Sequence, residues 1–311
     1  MRLALATHPS CADHQPFPGH PERPERLGAA IAGGKLAGAE EISVPFDADD
    51  VLAAVARVHS PALADRLREA CRGAPAVFDS EDNPISAGTF TAAAAAVAAS
   101  LAAVRAAVAG DWERVWVPVR PPGHHALSDR ALGFCFFNNV AIAAEEVVAR
   151  RAGPVAIVDI DAHHGNGTQA HFWQRADVFY FSLHGYPMFP GSGVPLECGE
   201  GDGAGTTLNV PLAPGAGDET FCEAMRLGID EIRRRFEPAC WLVSAGFDAH
   251  HRDPIGGLAV TEQGFAVAGG LLDEAAGRRP IVAVLEGGYE LEALRSSVQS
   301  FLLGLIGAVA P

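Results

Sequence analysis

Two carboxylate-bearing segments are the first candidates for chemistry in this sequence. Asp159-Ile160-Asp161-Ala162-His163 ends an apolar run that begins at Val155, and Asp248 ends a second run through Val243 and Phe247. Strand side chains alternate with period 2, so Asp159, Asp161 and His163 are expected on one face as the first run ends. Asp161, His163 and Asp248 together offer two oxygens and one nitrogen, with positions left for water and substrate, the layout of a catalytic rather than a structural zinc site. Taken alone, an Asp-x-His at a strand end is more often a hydrogen-bonded loop anchor.

A third cluster, Arg120-Pro121-Pro122-Gly123-His124-His125-Ala126, sets tandem imidazoles in a Pro/Gly loop. Imidazole titrates near neutrality and suits proton transfer, although a pair of solvated loop histidines has the same sequence. A fourth, Leu285-Glu286-Gly287-Gly288-Tyr289, offers a phenol that could donate to a developing oxyanion, or a packed loop tyrosine.

The elements that must position these groups are legible as short runs rich in Val, Ile and Phe: 3–7, 114–119, 155–161, 178–184, 208–212, 240–248 and 281–286. Most are continuously apolar, as expected of strands buried on both faces of a parallel sheet. Helical patterns lie between them at 89–109, 138–151, 218–236, 261–276 and 291–306, several opened by Asn, Asp or Thr as N-caps. The alternation, with no long linker and no internal repeat, predicts one α/β domain over residues 1–311, three layers deep around a mostly parallel sheet. Ligands of such sheets bind beyond the carboxyl ends of the strands, where all four polar clusters fall.

Composition narrows the partners. The chain has 311 residues, 23 Lys+Arg against 38 Asp+Glu for a net charge of −15, and 49% hydrophobic residues. That is ample for a packed core and too acidic for nucleic acid or an anionic membrane; a cationic ligand fits better. Six cysteines lie far apart without a C-x-x-C pair and read as reduced, mostly packed thiols. The N-terminal apolar stretch is too short for a signal-peptide core, and the Ala-rich run 91–104 stops at Arg105, short of the roughly 20 residues a spanning helix needs. A cytoplasmic protein is expected.

Read in order, Arg120–Ala126, Gly133-Phe-Cys-Phe-Phe-Asn-Asn139, Asp159–Thr168, Phe189-Pro-Gly-Ser-Gly193, Ser244–His250 and Glu286–Tyr289 resemble the zinc-dependent histone deacetylase family, nearest its class II-like bacterial amidohydrolases and acetylpolyamine amidohydrolases. The likeness runs from His20-Pro-Glu-Arg-Pro-Glu-Arg26 to Tyr289 and implies the arginase/deacetylase-like fold. It implies that Asp161, His163 and Asp248 bind zinc, or iron in its place. His125 would be the general base, His124 its electrostatic partner or proton donor, and Tyr289 the oxyanion donor. Asp159 and Asn166 would orient the two imidazoles; Asn stands at 166 where many relatives carry Asp. Gly133, Phe134, Phe189, Ile255 and Gly287 would line a narrow substrate tunnel with Asp82 at its rim, and Arg26 would lie near an acetate cavity. A structural potassium ion would be framed by Asp159, Asp161, His163, Ser182 and Leu183.

The resemblance implies hydrolysis of acetyl or short acyl groups from the ε-amine of lysine in peptides or proteins, with acetylpolyamine as the alternative substrate and self-association allowed. Ile255 stands where a polyamine-specific branch of the family carries Glu, which favours lysine. A dimanganese ureohydrolase needs further carboxylates, but Gly165 and His250 occupy the spacings that would supply them. A catalytically dead binding module would have lost Tyr289 or a tandem histidine, and all are present.

Overall fold

The structure is a computed structural model and describes residues 2–308. In chain order it holds β1 (Leu3–Leu5), α1 (Glu25–Leu36), β2 (Glu40–Glu41), α2 (Ala48–Val55), α3 (Pro61–Arg72), β3 (Ala76–Phe78), β4 (Ser80–Ile85) and α4 (Thr89–Val108). There follow β5 (Arg114–Val117), α5 (Asn139–Ala149), β6 (Val155–Asp159), α6 (Asn166–Phe172), β7 (Val178–Gly185), β8 (Thr207–Leu212), α7 (Asp218–Arg235), β9 (Cys240–Ala245), α8 (Glu262–Ala276), β10 (Ile281–Leu285) and α9 (Leu291–Leu305).

An 8-stranded sheet in the order β2-β1-β5-β10-β9-β6-β7-β8 forms the middle layer, and every pairing in it is parallel. The continuous apolar runs have their cause here, because alternate residues of one strand enter two different cores. Val155 and Ile157 of β6 pack toward α2–α5, whereas Ala156 and Val158 pack toward α1, α7, α8 and α9. The expected single-domain α/β architecture is therefore the observed one.

Helix starts follow the expected chemistry in part. Asn138 accepts the Ala141 amide at 3.0 Å and Thr261 the Gln263 amide at 3.2 Å. Asp218 opens α7 but does not cap it; its carboxylate instead takes the Thr261 amide at 2.7 Å and hydroxyl at 2.6 Å, joining α7 to the start of α8. The Ala-rich run does not stop at Arg105. It continues as the 20-residue α4, long and apolar enough by composition to cross a membrane, yet mostly buried inside the molecule. Arg105 is accommodated at that end by Asp50 and Glu146, with bonds of 2.6–2.9 Å. Five of the cysteines are buried and Cys198 is exposed, all as free thiols.

Sequence patterning misses the antiparallel hairpin β3–β4 and the short edge strand β2. Ser80-Glu-Asp-Asn-Pro-Ile85 is polar and carries a proline, so it does not read as a strand.

Candidate active site

Parallel neighbours β5, β10, β9 and β6 all end on the same edge of the sheet, which is why residues far apart in sequence meet there. Beyond β5 comes Arg120–His125, beyond β6 Asp161–Asn166, beyond β9 Asp248 and beyond β10 Glu286–Tyr289. One expectation changes. β6 stops at Asp159, so the alternation that would align Asp159, Asp161 and His163 does not continue through the turn after it. Asp159 lies against His124, the kind of pairing the resemblance implies, and Asp161, His163 and Asp248 form a group of their own.

Donor atoms of Asp161, His163 and Asp248 lie within 4.8 Å of one another, the one such metal-competent cluster among the described residues. Nδ1 of His163 is 3.1 Å from Asp161 Oδ1 and 3.0 Å from Asp248 Oδ2. Asp161 and Asp248 are 1% and 0% exposed, and two buried carboxylates this close are costly without a cation between them. Burial raises Asp161, but the imidazoles of His124 and His163 outweigh it and keep it ionised; burial and the Asp161 charge push Asp248 upward. Burial opposes charge on His163, yet the two carboxylates bonded to it raise its pKa to about 11. The pocket between these groups thus favours positive charge, and its oxygen–nitrogen donor set fits a divalent ion such as zinc.

Behind the tandem histidines the supports differ. His124 Nδ1 lies 3.0 Å from Asp159 Oδ2, which Tyr180 also approaches with its hydroxyl at 3.1 Å. His125 Nδ1 donates to Asn166 Oδ1 at 2.8 Å. Each bond leaves Nε2 as the other ring nitrogen. Burial works against a charged His124, but Asp159, Asp161 and Glu286 hold its pKa at about 10; burial, with His124 and His163 beside it, drives His125 well below the ordinary imidazole range. The two adjacent imidazoles are therefore shifted in opposite directions.

Tyr289 is 8% exposed, with the Arg26 guanidinium 4.6 Å above its ring and the Phe134 ring edge-on at 5.8 Å. Burial keeps its phenol protonated, well above the usual tyrosine range. Arg26 is anchored by the carbonyls of Gly288 and Glu286, both at 2.5 Å, and by Glu22 at 2.8 Å.

A cavity of about 300 Å³ is lined by Asp82, His125, Gly133, Phe134, His163, Phe189, Ile255 and Tyr289. Asp82, Gly133, Phe134, Phe189 and Ile255 thus lie on one wall system with the reactive groups. Gly133 sits at φ +56, and a Cβ there would fall 2.4 Å from His125 Cδ2, so only glycine lets the wall close on the imidazole. Gly287 is not on this wall. Its amide donates to Asp161 Oδ2 at 2.8 Å, and a Cβ would lie 2.3 Å from Asp248 Oδ2, so it backs the carboxylates rather than the ligand space. Ser182 stands opposite Asp159 across β6 and β7, its hydroxyl 2.8 Å from His184 Nδ1, and Leu183 is packed in the core.

Several positions escape sequence reasoning. The missed hairpin holds the tunnel wall: Asp79 accepts the Ala131 amide at 2.9 Å, Asp82 that of Gly133 at 3.1 Å and Asn83 that of Phe134 at 2.7 Å. Glu286 is fully buried; its Oε2 accepts the Gly123 amide at 2.6 Å and the His124 amide at 3.1 Å. A charged residue directly after an apolar strand was the available signal for Glu286. Nothing local marks Asp79 or Asn83, and Asp82 is singled out only through the family resemblance.

The family described as "Histone deacetylase domain" matches residues 20–305. A "Probable deacetylase" from Archaeoglobus fulgidus is 36% identical over 322 residues, covering 100% of this chain and 87% of its own. The "Histone deacetylase-like amidohydrolase" of Pseudomonas aeruginosa is 35% identical over 316 residues, with 94% and 82% covered. Among solved structures, the acetylpolyamine aminohydrolase of Burkholderia pseudomallei superimposes with a TM-score of 0.88 at 32% identity, covering 100% of both chains. With this match spanning nearly the whole chain and the site at the expected edge of the sheet, the protein belongs to the histone deacetylase family and is a hydrolase of its deacetylase and amidohydrolase kind.

Proposed function

We propose that the protein removes acetyl or short acyl groups from the ε-amine of lysine in peptides or proteins, with Asp161, His163 and Asp248 holding zinc. The carrying observation is the cavity itself: Phe134 and Phe189 form its walls, uncharged Ile255 stands at its mouth, and His125, His163 and Tyr289 meet inside. An aliphatic lysine stem suits two aromatic walls, and the neutral acetamide needs no counter-charge.

A divalent ion at this site supplies Lewis acidity, polarising the amide carbonyl and acidifying the attacking water. The protein's own groups do the rest. His125, its Nδ1 committed to Asn166, presents Nε2 to take the water proton as the C–O bond forms. The Tyr289 phenol donates to the carbonyl oxygen as it gains charge. His124, steadied by Asp159, favours the charged intermediate and supplies a proton to the amine as the C–N bond breaks. Asp82 at the rim receives substrate backbone, and a monovalent cation at Asp159, Asp161, His163, Ser182 and Leu183 would stiffen the turn after β6. Six unpaired cysteines suit a reducing compartment, and we place the enzyme in the cytoplasm.

Likeness to the Burkholderia enzyme favours a second reading, acetylpolyamine deacetylation. A polyamine keeps a distal ammonium that the mouth must attract; Ile255 offers no charge for it, which leaves Asp82 as the carboxylate lining the cavity. Comparing kcat/KM for an acetyl-lysine peptide, a longer acyl-lysine peptide and acetylputrescine separates the readings. Preference for acetyl-lysine is expected, and a reversed ratio would replace the first reading with the second. Chelation should abolish turnover and zinc restore it; a chelator-insensitive enzyme would remove the metal from the reaction.

A further inference from the structure

We infer that Asp253 is a positioning residue for Tyr289, one carboxylate that ties the phenol-bearing segment to the loop at the cavity mouth; this rests on the reading of Tyr289 as oxyanion donor. Oδ2 of Asp253 accepts the Tyr289 amide at 2.7 Å. Oδ1 accepts the amides of Ile255 at 3.0 Å and Gly256 at 3.2 Å. Asp253 in turn donates its own amide to the His250 carbonyl at 2.8 Å, two residues past Asp248.

Tyr289 needs such an anchor because of how the chain reaches it. Gly287 and Gly288 precede it, and Gly288 sits at φ +114, a backbone conformation that glycine adopts freely and other residues do not. Arg26 over the ring face and Phe134 edge-on hold the ring by packing contacts rather than hydrogen bonds. A backbone hydrogen bond to the carboxyl group of Asp253 is directional, and it fixes the point from which the side chain projects.

The other half of the clip is equally constrained. Gly256 lies so close to Asp248 that a Cβ would fall 1.6 Å from its carbonyl oxygen, and Gly257 sits at φ +65. The loop bearing Ile255 is therefore pressed against the backbone of a candidate metal ligand, and Asp253 transmits that fixed position to Tyr289. Placement errors of about 1 Å in a catalytic group cost on the order of 100-fold in rate.

The test uses the full-length, zinc-loaded protein. Asp253→Ala should lower kcat about 10- to 100-fold with KM little changed and metal content intact. Asp253→Asn, which keeps one acceptor oxygen, should fall between it and wild type and guards against a variant that fails to fold. Hydrogen exchange at the Tyr289 amide should quicken in both variants while β10 stays protected. Asp253→Ala combined with Tyr289→Phe should be no slower than Tyr289→Phe alone. Multiplying losses, or unchanged exchange at Tyr289 in Asp253→Ala, would overturn the clip. If Tyr289→Phe alone leaves kcat unchanged, the oxyanion assignment falls, and the exchange measurement still decides the clip.

Discussion

Asn166 Oδ1 stands 2.8 Å from Nδ1 of His125, so the imidazole facing the cavity is backed by a neutral amide, while its neighbour His124 is backed by the carboxylate of Asp159. The amide orients the ring without adding charge behind it. Asn166→Leu should lower kcat/KM by about 10- to 100-fold with zinc retained, the usual cost of losing an orienting partner. Asn166→Asp should act differently: a negative charge favours the imidazolium, His125 must be neutral to act as base, and the acid limb of the rate profile should move to higher pH. A pH profile of kcat/KM for the two variants distinguishes orientation from charge.

Tyr289→Phe removes a hydroxyl and leaves the ring packed between Arg26 and Phe134. The expected result is a kcat lowered by about 100- to 1,000-fold, as for loss of one oxyanion donor, with zinc content and melting temperature close to wild type. Steady-state kinetics alongside metal analysis would check this, and an active variant would take the phenol out of the reaction.

Ile255 is 38% exposed at the mouth of the cavity. Ile255→Glu would set a carboxylate there for the distal ammonium of a polyamine. An exposed ion pair contributes up to about 1 kcal/mol, so the ratio of acetylputrescine to acetyl-lysine peptide turnover should rise by roughly 5-fold. An unchanged ratio would mean that selection occurs elsewhere than at this rim.

Glu22 lies fully buried between two guanidinium groups, accepting Arg26 at 2.8 Å and Arg120 at 2.6 Å. Glu22→Gln leaves two buried cations without their counter-charge and should destabilise the fold by about 3–5 kcal/mol. Burial raises the Glu22 pKa, but Arg120 and Arg26 outweigh it and hold the folded value below that of a free carboxylate. Its contribution is therefore present above the unfolded value of about 4.3 and is lost as pH falls through the folded one. Denaturant melts should show a wide gap between wild type and variant at pH 7 that narrows below about pH 4. A constant gap would contradict the ion-pair origin.

Much of this protein is decided by local composition. Continuous apolar runs such as Val155–Val158 specify buried parallel strands because both faces of the sheet are covered, and polar motifs directly after those runs mark the reactive edge. His124, His125, Asp161, His163, Asp248 and Tyr289 stand out by residue type and position, and the resemblance of their motifs to the family supplies their roles. What only the tertiary structure decided is which groups pair. Asp159 meets His124 at 3.0 Å, and Gly287 backs Asp161 instead of lining the cavity. The Ser80–Ile85 strand, the burial of Glu22 and Glu286, and the Asp253 clip on Tyr289 are likewise invisible in sequence. Each depends on a side chain meeting a backbone or charge brought close by the fold, and hydrophobic periodicity carries no information about such meetings. Periodicity reports which face of an element is buried, whereas a hydrogen bond across 36 residues, from Tyr289 to Asp253, exists only once both loops have been carried to the same edge of the sheet.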